Sequence, residues 1–144
     1  MGTWYWIGVS VGIGAAVGVL CAAFARKGRL AELLLLIVAM GAGYGLGRAV
    51  GAWQSGGWGD EVGGMAAAIA ASLGASQVVL GALRRGGARS GTVVLVAGAA
   101  LVVAGAAFIP AAGYLEALAI PALGGLLLRK RPERYAGLRT LAKD

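Results

Sequence analysis

Two ionisable residues, Arg48 and Glu116, lie inside long apolar stretches of this 144-residue chain and are its best candidates for chemistry. A charged group costs about 2.5 to 3.5 kcal/mol at the centre of a bilayer, so such groups usually pair or face water. A buried Arg48–Glu116 pair would mark a pathway or its gate. The alternative is that both side chains reach the lipid headgroups, or that Arg48 pairs with Asp60 or Glu61.

A second polar set follows one face of the third apolar stretch. Ser72 and Ser76 are four residues apart and share a helix face, and Gln77 is next to them. Such a face can line a path for a solute or bond a neighbouring helix. With Arg48 and Glu116, these three residues are the candidate pathway or gating residues.

The side chains used by most enzymes and metal sites are missing. The chain has no histidine and a single cysteine, Cys21, which lies in an apolar stretch. It contains no phosphate-binding loop or nucleophile elbow, and the adjacent Asp60 and Glu61 do not match a calcium-binding loop. We therefore predict no catalysis, no metal and no cofactor.

The composition indicates that lipid, not water, surrounds the chain. Apolar residues make up 59% and charged residues 13%, with a mean hydropathy of +0.81, whereas soluble domains carry roughly 25% charged residues. A soluble fold of this size buries only about two thirds of its surface. The net charge of +7 comes from short clusters between apolar stretches, a pattern typical of membrane topology and not of nucleic-acid binding.

Five apolar segments are each close to the ~20 residues that span a hydrocarbon core. The sequence therefore predicts an all-α, polytopic membrane domain over residues 1–128 and a basic tail over 129–144. The predicted spans are residues 4–25, 30–50, 62–83, 92–109 and 111–128.

The basic residues favour two spans, and not one bent helix, for the apolar run from Thr92 to Leu128. A turn at Pro110–Gly113 places twelve basic residues on one side, which is the cytoplasm by the positive-inside rule. All four tryptophans then lie on the other side. We predict five spans with the N-terminus outside and the C-terminus inside. The twelve residues are Arg26, Lys27, Arg29, Arg84, Arg85, Arg89, Arg129, Lys130, Arg131, Arg134, Arg139 and Lys143.

Glycine is unusually frequent, with 27 residues, and recurs at short spacings in each of the first two segments. Glycines four apart form small ridges that let membrane helices approach closely. We predict that the first two segments pack tightly within one chain, or alternatively that the ridges form an interface between subunits. The predicted packing residues are Gly8, Gly12, Gly14, Gly18, Gly41, Gly43, Gly45 and Gly47.

The turn at 20–29 resembles the turn at 80–89, since each joins a small-residue helix to a basic loop and an aliphatic helix. This similarity predicts a tandem repeat of helical hairpins, although composition alone would also produce it. The tail begins with Arg129, Lys130 and Arg131, which favour anionic headgroups at the cytoplasmic face. A short amphipathic stretch after Pro132 would rest on the membrane or bind a protein partner.

The preference for alanine, glycine and arginine, and a start without the basic residues of a signal peptide, indicate a bacterial inner-membrane protein. Five short helices enclose little volume, so a path would form between subunits. We therefore expect a homo-oligomeric channel or small transporter for ions or small solutes. The alternative is a noncatalytic accessory or scaffold subunit of a membrane complex.

Overall fold

The computed structural model describes residues 2–129, with side chains described up to residue 127. These residues form five helices and no strands, so the all-α prediction is confirmed for the described part of the chain. The helices are α1 (Thr3–Ala22), α2 (Arg29–Trp53), α3 (Trp58–Arg84), α4 (Arg89–Ala106) and α5 (Ala112–Arg129).

Four of the helices, α1 to α4, are long and apolar enough to cross a membrane, and α5 carries a shorter apolar stretch, Ala112–Leu127. Of the predicted headgroup residues, Arg129 ends α5, whereas Lys130 and Arg131 lie outside the described residues, as does the predicted surface stretch after Pro132.

The two ends of the bundle differ in composition. At one end, which we call the tryptophan end, Trp6 of α1 packs edge-on against Trp53 of α2, and α3 begins at Trp58. At the other, which we call the arginine end, Arg26 and Arg84 line one cavity. Both turns at the arginine end contain a glycine with positive φ, Gly28 at 127° and Gly86 at 86°, a conformation that glycine adopts without steric cost.

Helices α1 and α3 form the centre of the bundle. Helix α3 contacts α1, α2 and α5, while α1 also contacts α2, α4 and α5; α4 packs mainly on α1 and is otherwise exposed. The side chains at this centre are small, which lets the helix axes approach closely. The buried cluster consists of Val11, Ala15, Val19, Ala67, Ala71 and Ala100.

The predicted glycines in the second half of α1 and on the buried face of α2 make their closest contacts with α3, whereas Gly8 and Gly12 of α1 contact α5 and the turn before it. A Cβ added at Gly14 would overlap the carbonyl oxygen of Gly64, and one at Gly18 would overlap that of Ala68. On α2, a Cβ at Gly43 would lie 2.6 Å from both the Ala68 Cβ and the Gly64 oxygen. The predicted packing of the first segment on the second therefore also involves α3, because small residues of α3 contact glycines of both helices.

The predicted glycines of α2 divide between two faces. Gly43 and Gly47 are buried against α3, but a Cβ at Gly41 or Gly45 would meet no atom within 4 Å. Residues two apart on an α-helix point about 200° apart, so the two sets cannot share a partner. Gly41 and Gly45 lie on an outward face of the described bundle.

Candidate functional site

The carboxylate of Glu116 lies beside the middle of α1. A Cβ at Gly12 would be 3.0 Å from the Glu116 Oε2, and that oxygen is buried with no hydrogen-bond partner among the described residues. Gly12 is nine residues beyond Thr3 in a helix of 20 residues, hence roughly 14 Å along a helix of roughly 30 Å. Glu116 is therefore at half the height of α1.

This position results from the level at which the α4–α5 turn meets α1. The Tyr5 hydroxyl donates a 2.9 Å hydrogen bond to the Phe108 carbonyl, and the Tyr114 hydroxyl donates a 2.7 Å bond to the Trp4 carbonyl. The backbone of Gly113 also packs directly on the Gly8 carbonyl. Because α5 begins level with Gly8 and not with the start of α1, a residue only one turn into α5 reaches the centre of the bundle.

Arg48 is far less buried and has a different partner. Its side chain is 67% exposed, lies 3.6 Å from Glu61 and donates a 3.4 Å hydrogen bond to the Tyr44 hydroxyl. The buried pair of Arg48 with Glu116 does not form, and the alternative pairing with Glu61 does. An exposed ion pair of this kind contributes little to stability.

Asp60 is a buried carboxylate whose role the sequence did not indicate. It is 1% exposed, its Oδ1 accepts a 2.9 Å hydrogen bond from the Ser10 hydroxyl, and its Oδ2 is buried without a partner among the described residues. The spacing gave no signal of this burial, because Ser72 and Ser76 lie roughly 120° and 160° around the helix from Asp60 and do not share its face.

The three polar residues predicted on α3 occupy two environments. Ser72 is fully buried beside Gly18 of α1, and its hydroxyl has no partner among the described residues. Ser76 donates a 2.9 Å hydrogen bond to the Leu73 carbonyl of its own helix, and with Gln77 it lines a cavity at the arginine end. Ser72 therefore belongs to the core, whereas Ser76 and Gln77 belong to that cavity.

The polar residues of α3 do not form a connected path within the described chain. Between Asp60 and Ser72, the backbones of Gly14 and Gly43 press on Gly64 from two sides and fill the intervening space. The described residues also contain no group of three or more acidic, histidine or cysteine side chains that could hold a metal ion. What remains is a pair of acidic groups, Asp60 and Glu116, both in contact with α1.

Comparison with known proteins adds no relative to this picture. No protein-family model matches the chain, and no curated protein or solved structure is significantly similar to it.

Proposed function

We propose that the chain is a bacterial inner-membrane protein that crosses the bilayer five times, with α1 to α5 as the spans. Four helices have the length and composition for this role, and α5, at 18 residues, would extend roughly 27 Å. The tryptophan end would face outward and the arginine end the cytoplasm, in keeping with the positive-inside rule and interfacial aromatic belts.

In that membrane, we propose, an oligomer of this chain acts as a channel or small transporter for ions or small solutes. The observation that supports this most directly is Glu116, a carboxylate at half the height of α1 with a buried oxygen that has no protein partner among the described residues. Ionisable groups at such depth usually face a solute pathway or a proton relay. Glu116 would accept a proton or small cation during transfer.

The oligomer is part of the proposal because the centre of one chain is filled. Close backbone contacts of Gly14, Gly18 and Gly43 with α3 occupy the space between the polar residues of α3. Glu116 is only half-buried, so a neighbouring subunit could complete its surroundings. The open glycines Gly41 and Gly45 provide a face on which a second helix could pack closely.

Flux through proteoliposomes tests the proposal. Purified protein would be reconstituted, and proton, monovalent-ion and neutral-solute fluxes compared for wild type, Glu116→Gln and Glu116→Asp. Glu61→Gln is the matched control, since Glu61 is paired with the exposed Arg48, and Arg48→Ala tests the predicted gating residue. We expect at least a tenfold loss of flux in Glu116→Gln, partial activity in Glu116→Asp and near wild-type flux in Glu61→Gln.

Tight liposomes for the whole panel would overturn transport and favour the second candidate, a noncatalytic accessory or scaffold subunit. Helix α4 supports this alternative, because its side chains Val94, Leu95, Leu101 and Val102 are 70% to 76% exposed and leave a face free for another membrane protein. Co-purification with one fixed partner, abolished by Leu101→Ala with Val102→Ala, would identify this role.

A further inference from the structure

A cavity of about 220 Å³ opens at the arginine end between the α1–α2 turn and the end of α3. The turn contributes Arg26 and Lys27, α2 contributes Glu32, and α3 contributes Ser76, Gln77 and Arg84. Three elements thus bring three cations, one carboxylate and two uncharged polar side chains to one opening.

The positive charge of this cavity is only partly neutralised within the described chain. Among residues 2–127 the one ion pair joins Arg48 to Glu61, so Arg26, Lys27 and Arg84 have no carboxylate within 4 Å. Glu32 offsets one of the three charges and leaves a surplus of positive charge. Clustered arginine and lysine side chains recognise phosphate, arginine through paired N–H groups and lysine as a point charge.

An apolar cleft of about 370 Å³ adjoins the cavity, with Arg26 and Leu35 on the border of both. Cys21 of α1 and Phe24 of the α1–α2 turn form one wall, and Leu34 and Val38 of α2 form the other. Val38 is nine residues beyond the start of α2 at Arg29, so the cleft extends roughly 14 Å from the arginine end toward the centre of the bundle.

We infer that the cavity and the cleft together bind one anionic phospholipid, with the phosphate on Arg26, Lys27 and Arg84 and an acyl chain between Phe24 and Val38. The polarity of the site follows that of a lipid, because the charges lie at the bundle end and the apolar walls run inward from them. Basic pockets between helix ends bind anionic headgroups in this way. The inference rests on the proposed membrane location and is independent of transport.

Free phosphate is the competing ligand, and the cleft distinguishes the two. A small anion would use the three cations only, whereas a phospholipid would also require the space between α1 and α2. Val38→Trp would fill the cleft without altering the charges.

The test uses the purified, delipidated full chain in detergent, titrated separately with short-chain phosphatidylglycerol, phosphatidylcholine of the same chains, and inorganic phosphate. Native mass spectrometry counts bound lipid, and the thermal unfolding midpoint gives affinity. The test variant combines Arg26→Gln, Lys27→Gln and Arg84→Gln. The matched control combines Arg29→Gln, Arg85→Gln and Arg89→Gln, which removes the same charge from this end without touching the cavity lining.

We expect one phosphatidylglycerol per wild-type chain, bound at least about tenfold more tightly than phosphatidylcholine. Each cation lost should weaken binding about fivefold, hence on the order of 100-fold for the test variant, with much less loss in the control. Val38→Trp should weaken binding of phosphatidylglycerol but not of phosphate. Equal loss in both triple variants, equal binding of the two lipids, or tight phosphate binding with no effect of Val38→Trp would overturn the inference. Unfolding midpoints measured without lipid verify that each variant is folded.

Discussion

Ser10 and Asp60 are joined by a 2.9 Å hydrogen bond from the serine hydroxyl to the carboxylate, and each is 1% exposed. This contact fastens the first half of α1 to the first turn of α3, at the level where the backbone of Gly47 in α2 also meets Asp60. Three helices therefore converge on one polar contact. We expect the strength of this hydrogen bond to affect how stably α1, α2 and α3 pack at the tryptophan end.

A double-mutant cycle measures that contact. We expect Ser10→Ala and Asp60→Ala each to lower the free energy of unfolding, and the double variant to lose less than the sum because the shared hydrogen bond is counted twice. The expected coupling is about 1 kcal/mol. Unfolding in detergent, followed by tryptophan fluorescence, gives the values. Ser76→Ala combined with Asp60→Ala is the control and should be additive, since Ser76 bonds only its own helix. Additivity in the Ser10 cycle would contradict the contact.

Substitution of glycine by alanine should destabilise the protein on one face of α2 and have no effect on the other. Gly43→Ala forces a Cβ to within 2.6 Å of Ala68 and Gly64, and overpacking of this kind costs about 1 to 3 kcal/mol. Gly45→Ala, two residues away on the open face, should cost nothing in a detergent that keeps the chain monomeric. The thermal midpoints of the two variants, compared in the same detergent, test this. Equal losses would mean that Gly45 is covered, as it would be at a subunit interface, and cross-linking would then identify the neighbour.

Single-cysteine labelling tests the five-span topology. In a Cys21→Ser background, we expect Gly57→Cys and Ile109→Cys to react with a membrane-impermeant thiol reagent from outside intact cells. Ala88→Cys, in the α3–α4 turn, should react only after the membrane is permeabilised. All three positions are exposed. Labelling of Ile109→Cys exclusively from the cytoplasmic side would exclude five spans.

The tyrosine hydroxyls that hold the α4–α5 turn should control its local opening. Tyr114→Phe removes the 2.7 Å bond to the Trp4 carbonyl, and a neutral hydrogen bond is worth about 1 kcal/mol, or roughly a fivefold change in opening. Hydrogen–deuterium exchange at residues 108–112 should accelerate accordingly. Tyr44→Phe, which loses only the exposed contact with Arg48, is the control and should leave this exchange unchanged. An unaltered rate in Tyr114→Phe would show that the Gly113–Gly8 packing alone holds the turn.

The helices were predictable because each depends on a local property, the length of an apolar run between Gly-rich or basic turns. The faces of α2 were predictable too, since Gly43 and Gly45 lie about 200° apart on any α-helix. The prediction instead treated all four glycines of this segment as one packing set. The pairing of Arg48 with Glu61 was one of the predicted alternatives, and it forms because Arg48 lies near the start of α3. The tandem hairpin repeat and the functional roles of Ser72, Ser76 and Gln77 stay predictions.

The depth of Glu116 and the burial of Asp60 were not predictable from local patterns. An apolar segment reports how long a helix is, not how far it is displaced along its neighbours, and Glu116 reaches the centre because the turn before α5 docks below the start of α1. Asp60 lies between the second and third predicted spans. Its burial requires Ser10 and Gly47 to approach from two other helices. Both positions are consequences of tertiary packing.

The order of the helices along the chain bears on how the bundle is built. Helices α1, α2 and α3 make their mutual contacts within residues 3–84, so this unit can close while the remainder is still being synthesised. We expect α4 and α5 to dock afterwards, against the surface of α1 that carries Gly8 and Gly12. Until they dock, that surface of α1 would be uncovered. We therefore expect the carboxylate of Glu116 to be the last ionisable side chain among residues 2–127 to reach its place.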